Sequence, residues 1–176
     1  MFSFLERIGV TRGFGDDHVN GVLAAVGLVN LIPAALAGVL QRRLPPVRVA
    51  LVAAVLQAVL ALTISSTTFM PYAVAASVYA FVLIFAHTFL FGLAARIDPG
   101  GRTTALTPAM LMVGSAIGPA LAGLVAQRLG FPGIGLAVSL SAAACIGCFA
   151  LLGPGLVRAT QAGAAKVLVT PHAAAD

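Results

Sequence analysis

Long apolar stretches separated by short polar clusters divide this chain. No Asp, Glu, Lys or Arg occurs between His18 and Arg42, between Arg48 and Arg96, between Arg102 and Arg128, or between Arg128 and Arg158. A helix that crosses the hydrocarbon of a bilayer needs about 20 mostly apolar residues, each rising about 1.5 Å. The pattern therefore predicts spans at 19–41, 103–127 and 132–157. The run from 49 to 95 is too long for one crossing, and it gathers hydroxyls and a proline at Ser65-Ser66-Thr67-Thr68-Phe69-Met70-Pro71, which marks a turn. Two further spans are predicted there, at 49–67 and 71–95. The expected architecture is an all-α integral membrane protein with a five-helix transmembrane domain over 19–158. An N-terminal segment, 1–18, precedes it, and an alanine-rich tail, 159–176, is expected to be disordered.

Composition agrees with that pattern. Charged residues make up 9% of the chain and hydrophobic ones 60%, whereas a soluble domain carries charge on about a quarter of its residues. Glu6 and Arg7 interrupt any apolar core that a signal peptide would need. The basic residues are scattered over loops and ends rather than gathered in a stripe, which argues against nucleic acid as a partner. Their distribution sets orientation instead. Arg7, Arg12 and Arg128 fall on one side of the membrane, and Arg42, Arg43, Arg48, Arg96, Arg102, Arg158 and Lys166 on the other. Basic loops stay in the cytoplasm, so the expectation is a multi-pass protein of the cell membrane with its N-terminus outside and its C-terminus inside. A five-span chain that starts outside without a targeting signal is expected to be the rear part of a longer polytopic protein.

A shift of 85 residues lays Leu31–Pro45 on Ala116–Gly130 with seven of fifteen pairs identical, including Ala35/Ala120, Leu36/Leu121, Ala37/Ala122, Gly38/Gly123 and Arg43/Arg128. The copies lie three predicted spans apart, so they should cross the membrane in opposite directions. Opposed three-helix repeats are an architecture of secondary transporters, with the substrate site near the midplane between them.

On these residues, together with Phe4-Leu5-Glu6-Arg7-Ile8-Gly9, Gly38 to Arg48, Asp98-Pro99-Gly100-Gly101-Arg102 and Gly114 to Gly123, the chain resembles the C-terminal half of a major facilitator superfamily transporter over about residues 1–158. The resemblance implies that the five spans correspond to that family's eighth to twelfth helices and residues 1–10 to the frayed end of its seventh. It further implies movement of a small solute by alternating access, with two bundles rocking around a central site. The family's cytoplasmic loop motif is matched at Gly38, Arg43 and Arg48, while Arg42, Pro45 and Val47 replace its acid, its second glycine and the first of its closing bases. Asp98 and Arg102 belong to the corresponding third loop.

Polar groups at membrane depth usually face protein or a water-filled cavity. His87 shares a helical face with Ala73, Ala76, Ala80 and Ala94, opposite a phenyl stripe of Phe81, Phe85 and Phe89 that is expected to face lipid, so it is expected to point inward, where an imidazole could exchange protons or simply bond a neighbouring helix. Asn30 sits near the centre of the first span, and Pro33 should leave the carbonyl of Val29 without its donor. In the fourth span Thr104, Thr107 and Ser115 share a face with Gly118, and Pro119 likewise frees the carbonyl of Ser115. Asn30 and Ser115 are partners in the repeat and form the expected substrate site. Gly114 and Gly118 equally suit tight helix packing, as do Gly133, Ala137, Ser141 and Cys145 in the fifth span. Cys145 and Cys148 read as small packing residues, and Gln57 as a packing group. No cofactor, metal or enzyme chemistry is expected, because the spans hold one imidazole and no carboxylate. The expected partners are membrane lipid, a small solute that is uncharged or anionic, and a missing N-terminal half or second copy of the chain. The other reading is a half-size permease acting as an oligomer, or a membrane scaffold that does not transport.

Overall fold

The computed structural model describes residues 2–98 and 100–169, and within them all regular structure is helical. A 3-10 turn, Phe2–Phe4, leads into α1 (Leu5–Thr11), α2 (Asp16–Val29), α3 (Pro33–Leu40), α4 (Pro46–Ile64), α5 (Phe69–Ile97) and α6 (Arg102–Val169). Prolines set two of these starts. Pro33 and Pro46 stand in the first turns of α3 and α4, where a missing N–H costs nothing and the fixed φ is already helical. α4 consequently begins three residues before the expected boundary. It stops at Ile64, where Ser65 and Ser66 turn the chain with hydrogen bonds back to Leu62 O and Thr63 O.

The first expected span is divided. α2 ends at Val29 and α3 begins at Pro33, because proline supplies no donor to the turn before it. α6 is interrupted at Gly130, whose φ of 70° and ψ of −178° suit a residue without a side chain. A β-carbon placed on Gly133 would lie 2.5 Å from Cβ of Leu129 and 3.2 Å from Cγ1 of Val125. In an unbroken helix residues 125 and 133 would be about 12 Å apart, so the chain doubles back at Gly130. Four helical stretches are long and apolar enough to cross a membrane: Asp16–Leu40, Pro46–Ile64, Phe69–Ile97 and Arg102–Gly155. The last has 54 residues, about 80 Å if straight against about 30 Å of hydrocarbon, and Gly130 divides it into two arms of crossing length.

Contacts fix the directions of these helices. Along the second arm of α6, Gly135 meets Ala61 O and Ser65 Oγ, Ser139 Oγ reaches Ala58 O at 3.5 Å, and Gly153 meets Val47. The arm therefore runs antiparallel to α4. At one end of the bundle Arg12 Nη2 donates to Ser65 O at 2.8 Å and the His18 and Phe69 rings lie 5.3 Å apart. At the other end Gln41 Nε2 donates to Thr88 O at 2.8 Å and Arg96 Nη2 to Gln41 O at 3.3 Å. The N-terminal segment thus lies at an aromatic end with the 65–68 loop and Gly130, while Arg42, Arg43, Arg48, Arg96, Arg102 and Arg158 gather at the opposite, arginine-rich end. The two copies of the 85-residue repeat run in opposite directions.

The core is built on α5. Tyr72, Ala75, Ala76, Tyr79 and Ala80 form one buried face and meet Val22 and Val26 of α2, Ala61 and Ile64 of α4, and Leu5 and Ile8 of α1. Small residues let the helices approach closely, which is how helices associate where no water drives them together. The N-terminal segment is seated in the bundle: Leu5 and Ile8 are buried, and Tyr72 Oη donates to Leu5 O at 2.8 Å. The expected lipid-facing phenyl stripe is also corrected. Phe89 is 1% exposed, packed where Gln41 and Pro46 close over α5. Helical backbone continues past the expected end of the fifth span to Val169, where a disordered tail from 159 was expected; the rest of that tail, 170–176, lies outside the described residues.

Gly9 is the tightest point of the N-terminal contact, since a β-carbon there would come 2.7 Å from Tyr72 Oη and 2.7 Å from Val19 Cγ2. Gly9→Ala is expected to destabilise the detergent-solubilised protein by about 1–3 kcal/mol through overpacking. Tyr72→Phe removes one hydrogen bond and should cost about 1 kcal/mol. Thermal unfolding followed by circular dichroism checks the order of the two losses; a Gly9→Ala protein as stable as the parent would refute this packing.

Candidate functional site

Asn30 lies in the break between α2 and α3, the one place where a crossing helix is interrupted at its middle. Its N–H bonds Val26 O at 3.1 Å, and its side chain is half-buried, with Oδ1 enclosed and lacking a hydrogen-bond partner among the described residues. The carbonyl of Val29 is not free as expected. It accepts from Ile32 N at 3.3 Å, in a tightened turn that takes up the donor Pro33 cannot give. What the break leaves open is therefore the amide oxygen. Leu31 and Ile32 beside it are 76% and 55% exposed, so one side of the break is uncovered by this chain. Pro33 itself is buried.

The first arm of α6 is barely covered by the rest of the protein. Ser115, Gly114, Gly118 and Pro119 are all exposed, and a β-carbon on Gly114 or Gly118 would meet nothing within 4 Å. No helix of this chain packs on that pair, and the structure does not bring Ser115 into an enclosed site with Asn30. Gly38 likewise has open space around it, and Gly123 has only Phe4 at 4.0 Å. Thr107 Oγ1 turns back to Thr103 O at 3.0 Å. Thr104 is the exception, half-buried with an enclosed Oγ1 that no described residue bonds. Asn30 and Thr104 are thus, among the described residues, the two side chains with an enclosed oxygen that no hydrogen bond uses.

His87 is half-buried, with Nδ1 2.7 Å from Leu83 O one turn earlier and its ring 6.1 Å from Phe91. A carbonyl only accepts, so Nδ1 carries the proton and Nε2 remains the free acceptor. The packed stripe of the second α6 arm is Gly135, Ser139, Ala142 and Gly153. Ser141, Cys145 and Cys148 are exposed, off that stripe, contrary to the expected seam. Among the described residues no three His, Cys, Asp or Glu converge.

Two glutamines tie the bundle. Gln57 Nε2 donates to Tyr79 O at 2.8 Å between α4 and α5, in keeping with a packing group. Gln41 does the same between α3 and α5, its side chain 3.0 Å from where a β-carbon of Gly92 would stand. Sequence reasoning missed Gln41, although a glutamine beside Arg42 at a span's end, opposite a glycine, is what such a tie requires. In the third loop Asp98 does not pair with an arginine. Its Oδ2 accepts from Thr103 N at 2.8 Å and Thr103 Oγ1 at 2.9 Å, and Oδ1 from Gly100 N at 3.1 Å, so the carboxylate closes the N-terminus of α6. Arg43 and Arg48 are exposed.

Apolar helices of crossing length, bare apolar side chains along α3, α4 and the first α6 arm, and arginines at one end define a multi-pass helical membrane protein. In comparisons with known proteins, no family profile, no curated protein and no solved structure matches the chain.

The bonds from Thr103, first through its backbone N–H and then its hydroxyl, hold the Asp98 carboxyl below its ordinary value of 3.8. A carboxyl with a lowered folded-state pKa stabilises above its unfolded value and loses that contribution as pH falls through the folded one. The Thr103 amide resonance should therefore titrate with a midpoint below 3.8, and Asp98→Ala should abolish the titration. A midpoint at or above the ordinary value would contradict the cap.

Proposed function

We propose that this protein carries a small uncharged or anionic solute across a membrane by alternating access, as one bundle of a transporter that works with a second bundle or a second copy. The observation that carries this reading is the interrupted helix at Asn30. Broken helices at membrane depth are tolerated where the backbone lines a cavity, and they supply the binding groups of many transporters. Here the break leaves an enclosed amide oxygen without a partner among the described residues, an acceptor for a hydroxyl or N–H of a solute. The spans hold no carboxylate, which disfavours strongly cationic cargo. The resemblance to the C-terminal half of major facilitator transporters, and the opposed directions of the repeat copies, support the same reading.

In the proposed orientation the arginine-rich end is cytoplasmic. Seven basic residues belong to that side against three at the aromatic end, and basic flanks set topology. The bare first arm of α6 favours a second reading, in which half-size copies associate or the chain is a scaffold for other helices. A stable oligomer in detergent, with proteoliposomes that take up no solute, would select it.

Accessibility tests the cavity without knowledge of the solute. In a background with Cys145 and Cys148 replaced by serine, Asn30→Cys should react with a membrane-impermeant methanethiosulfonate at least about tenfold faster than Leu28→Cys, since the reactive thiolate forms where water reaches. Leu28, 69% exposed, is the lipid-facing control. Equal rates would remove the cavity. Tags at the two termini should be labelled from opposite sides of the membrane; labelling from one side would overturn the topology.

A further inference from the structure

Between α4 and α5 a groove of about 470 Å³ opens on the outside of the bundle. Its walls are apolar: Val49, Val52 and Leu56 follow one face of α4, and Phe81 and Phe85 of α5 stack opposite with centroids 6.0 Å apart. At the arginine-rich end the mouth is marked by Arg48. At the inner end the Gln57–Tyr79 hydrogen bond pins the two helices together. From Arg48 to Gln57 the groove runs about 14 Å at about 1.5 Å per residue, close to half the hydrocarbon thickness of about 30 Å. It is one leaflet deep.

Size and charge select the occupant. At about 30 Å³ per methylene, near the volume of a liquid water molecule, the groove holds roughly fifteen carbons. The Arg48 side chain is exposed and bonds none of the described residues, and Arg42 and Arg43 are exposed in the preceding connection. Asp98, the acid of this end among the described residues, has both oxygens engaged by Thr103 and Gly100. Unmatched positive charge therefore stands at headgroup depth over an acyl-sized slot, the arrangement that binds anionic lipid between membrane helices. We infer that this groove holds one acyl chain of an anionic glycerophospholipid, with Arg48 on its phosphate.

Native mass spectrometry of the full chain, released from an equimolar mixture of phosphatidylglycerol and phosphatidylcholine with the same acyl chains, tests this. The anionic lipid should be retained about fivefold over the zwitterionic one, the factor that one basic residue near a lipid surface supplies. Arg48→Gln should remove the preference while leaving lipid bound, and Arg102→Gln, at the same end but outside the groove, should leave the preference intact. Val52→Trp should cut retention of both lipids with helical content unchanged by circular dichroism; Val52 is 67% exposed, so the larger ring enters the groove rather than the core. Equal retention of the two lipids by the parent overturns the assignment. So does a preference that survives Arg48→Gln or disappears in Arg102→Gln, retention unaffected by Val52→Trp, or a second copy of the chain found in place of lipid.

Discussion

The face of α5 made by Tyr72, Ala75, Ala76, Tyr79 and Ala80 is the surface against which α1, α2 and α4 are assembled. In hydrocarbon, helices gain little by hiding apolar side chains from lipid, so association rests on close contact and on the few hydrogen bonds that cross between helices. Alanines on α5 permit the contact. The bonds are supplied by Gln57 to Tyr79 O, Gln41 to Thr88 O and Tyr72 to Leu5 O, each at 2.8 Å and each with one partner on α5. α2, α3, α4 and α1 are all oriented by this one helix. The first arm of α6, which makes no such bond, is left bare.

Much of this architecture was legible in the chain because it follows from where charge is absent. The bare runs marked where the long apolar helices lie, and the hydroxyl cluster at 65–68 marked the turn between α4 and α5. Boundaries shifted where proline chemistry decided them, as at Pro46. The orientation of α5 about its own axis was not legible. Its apolar residues surround the helix, so no polar side exists to show which face is inward; the alanine face chosen from sequence shares Ala76 and Ala80 with the face that packs, but that face is centred on Tyr72, Ala75 and Tyr79, and Ala73 and Ala94 are only half-buried. Phe89 was misplaced for the same reason.

The polar residues were less readable than the spans. Asn30 and Thr104 stood out as polar atoms in apolar surroundings, and both keep an enclosed oxygen without a partner. Ser115 looked equivalent to Asn30 by repeat, but its neighbour Gly118 stands where the first copy has Pro33. The chain breaks at one copy and runs straight through the other, since the helix around Pro119 contains no non-helical residue and the single such position in α6 is Gly130. Equivalence in sequence did not carry over to backbone geometry. Asp98 could be read from sequence only as a residue of the third loop, because a cap formed with Thr103 depends on the Gly101 turn, at φ +76°, folding the carboxylate over the helix start.

The Tyr72 to Leu5 bond joins residues 67 positions apart, and that separation has a consequence for biogenesis. During synthesis Leu5 and Ile8 precede the helix that buries them, with two spans made in between. Until that helix is inserted, the amino-terminal segment has no seat, and loop closure over such a distance is slow compared with pairing of adjacent helices. The seat of Leu5 and Ile8 at the aromatic end therefore forms only once α5 has joined the bundle.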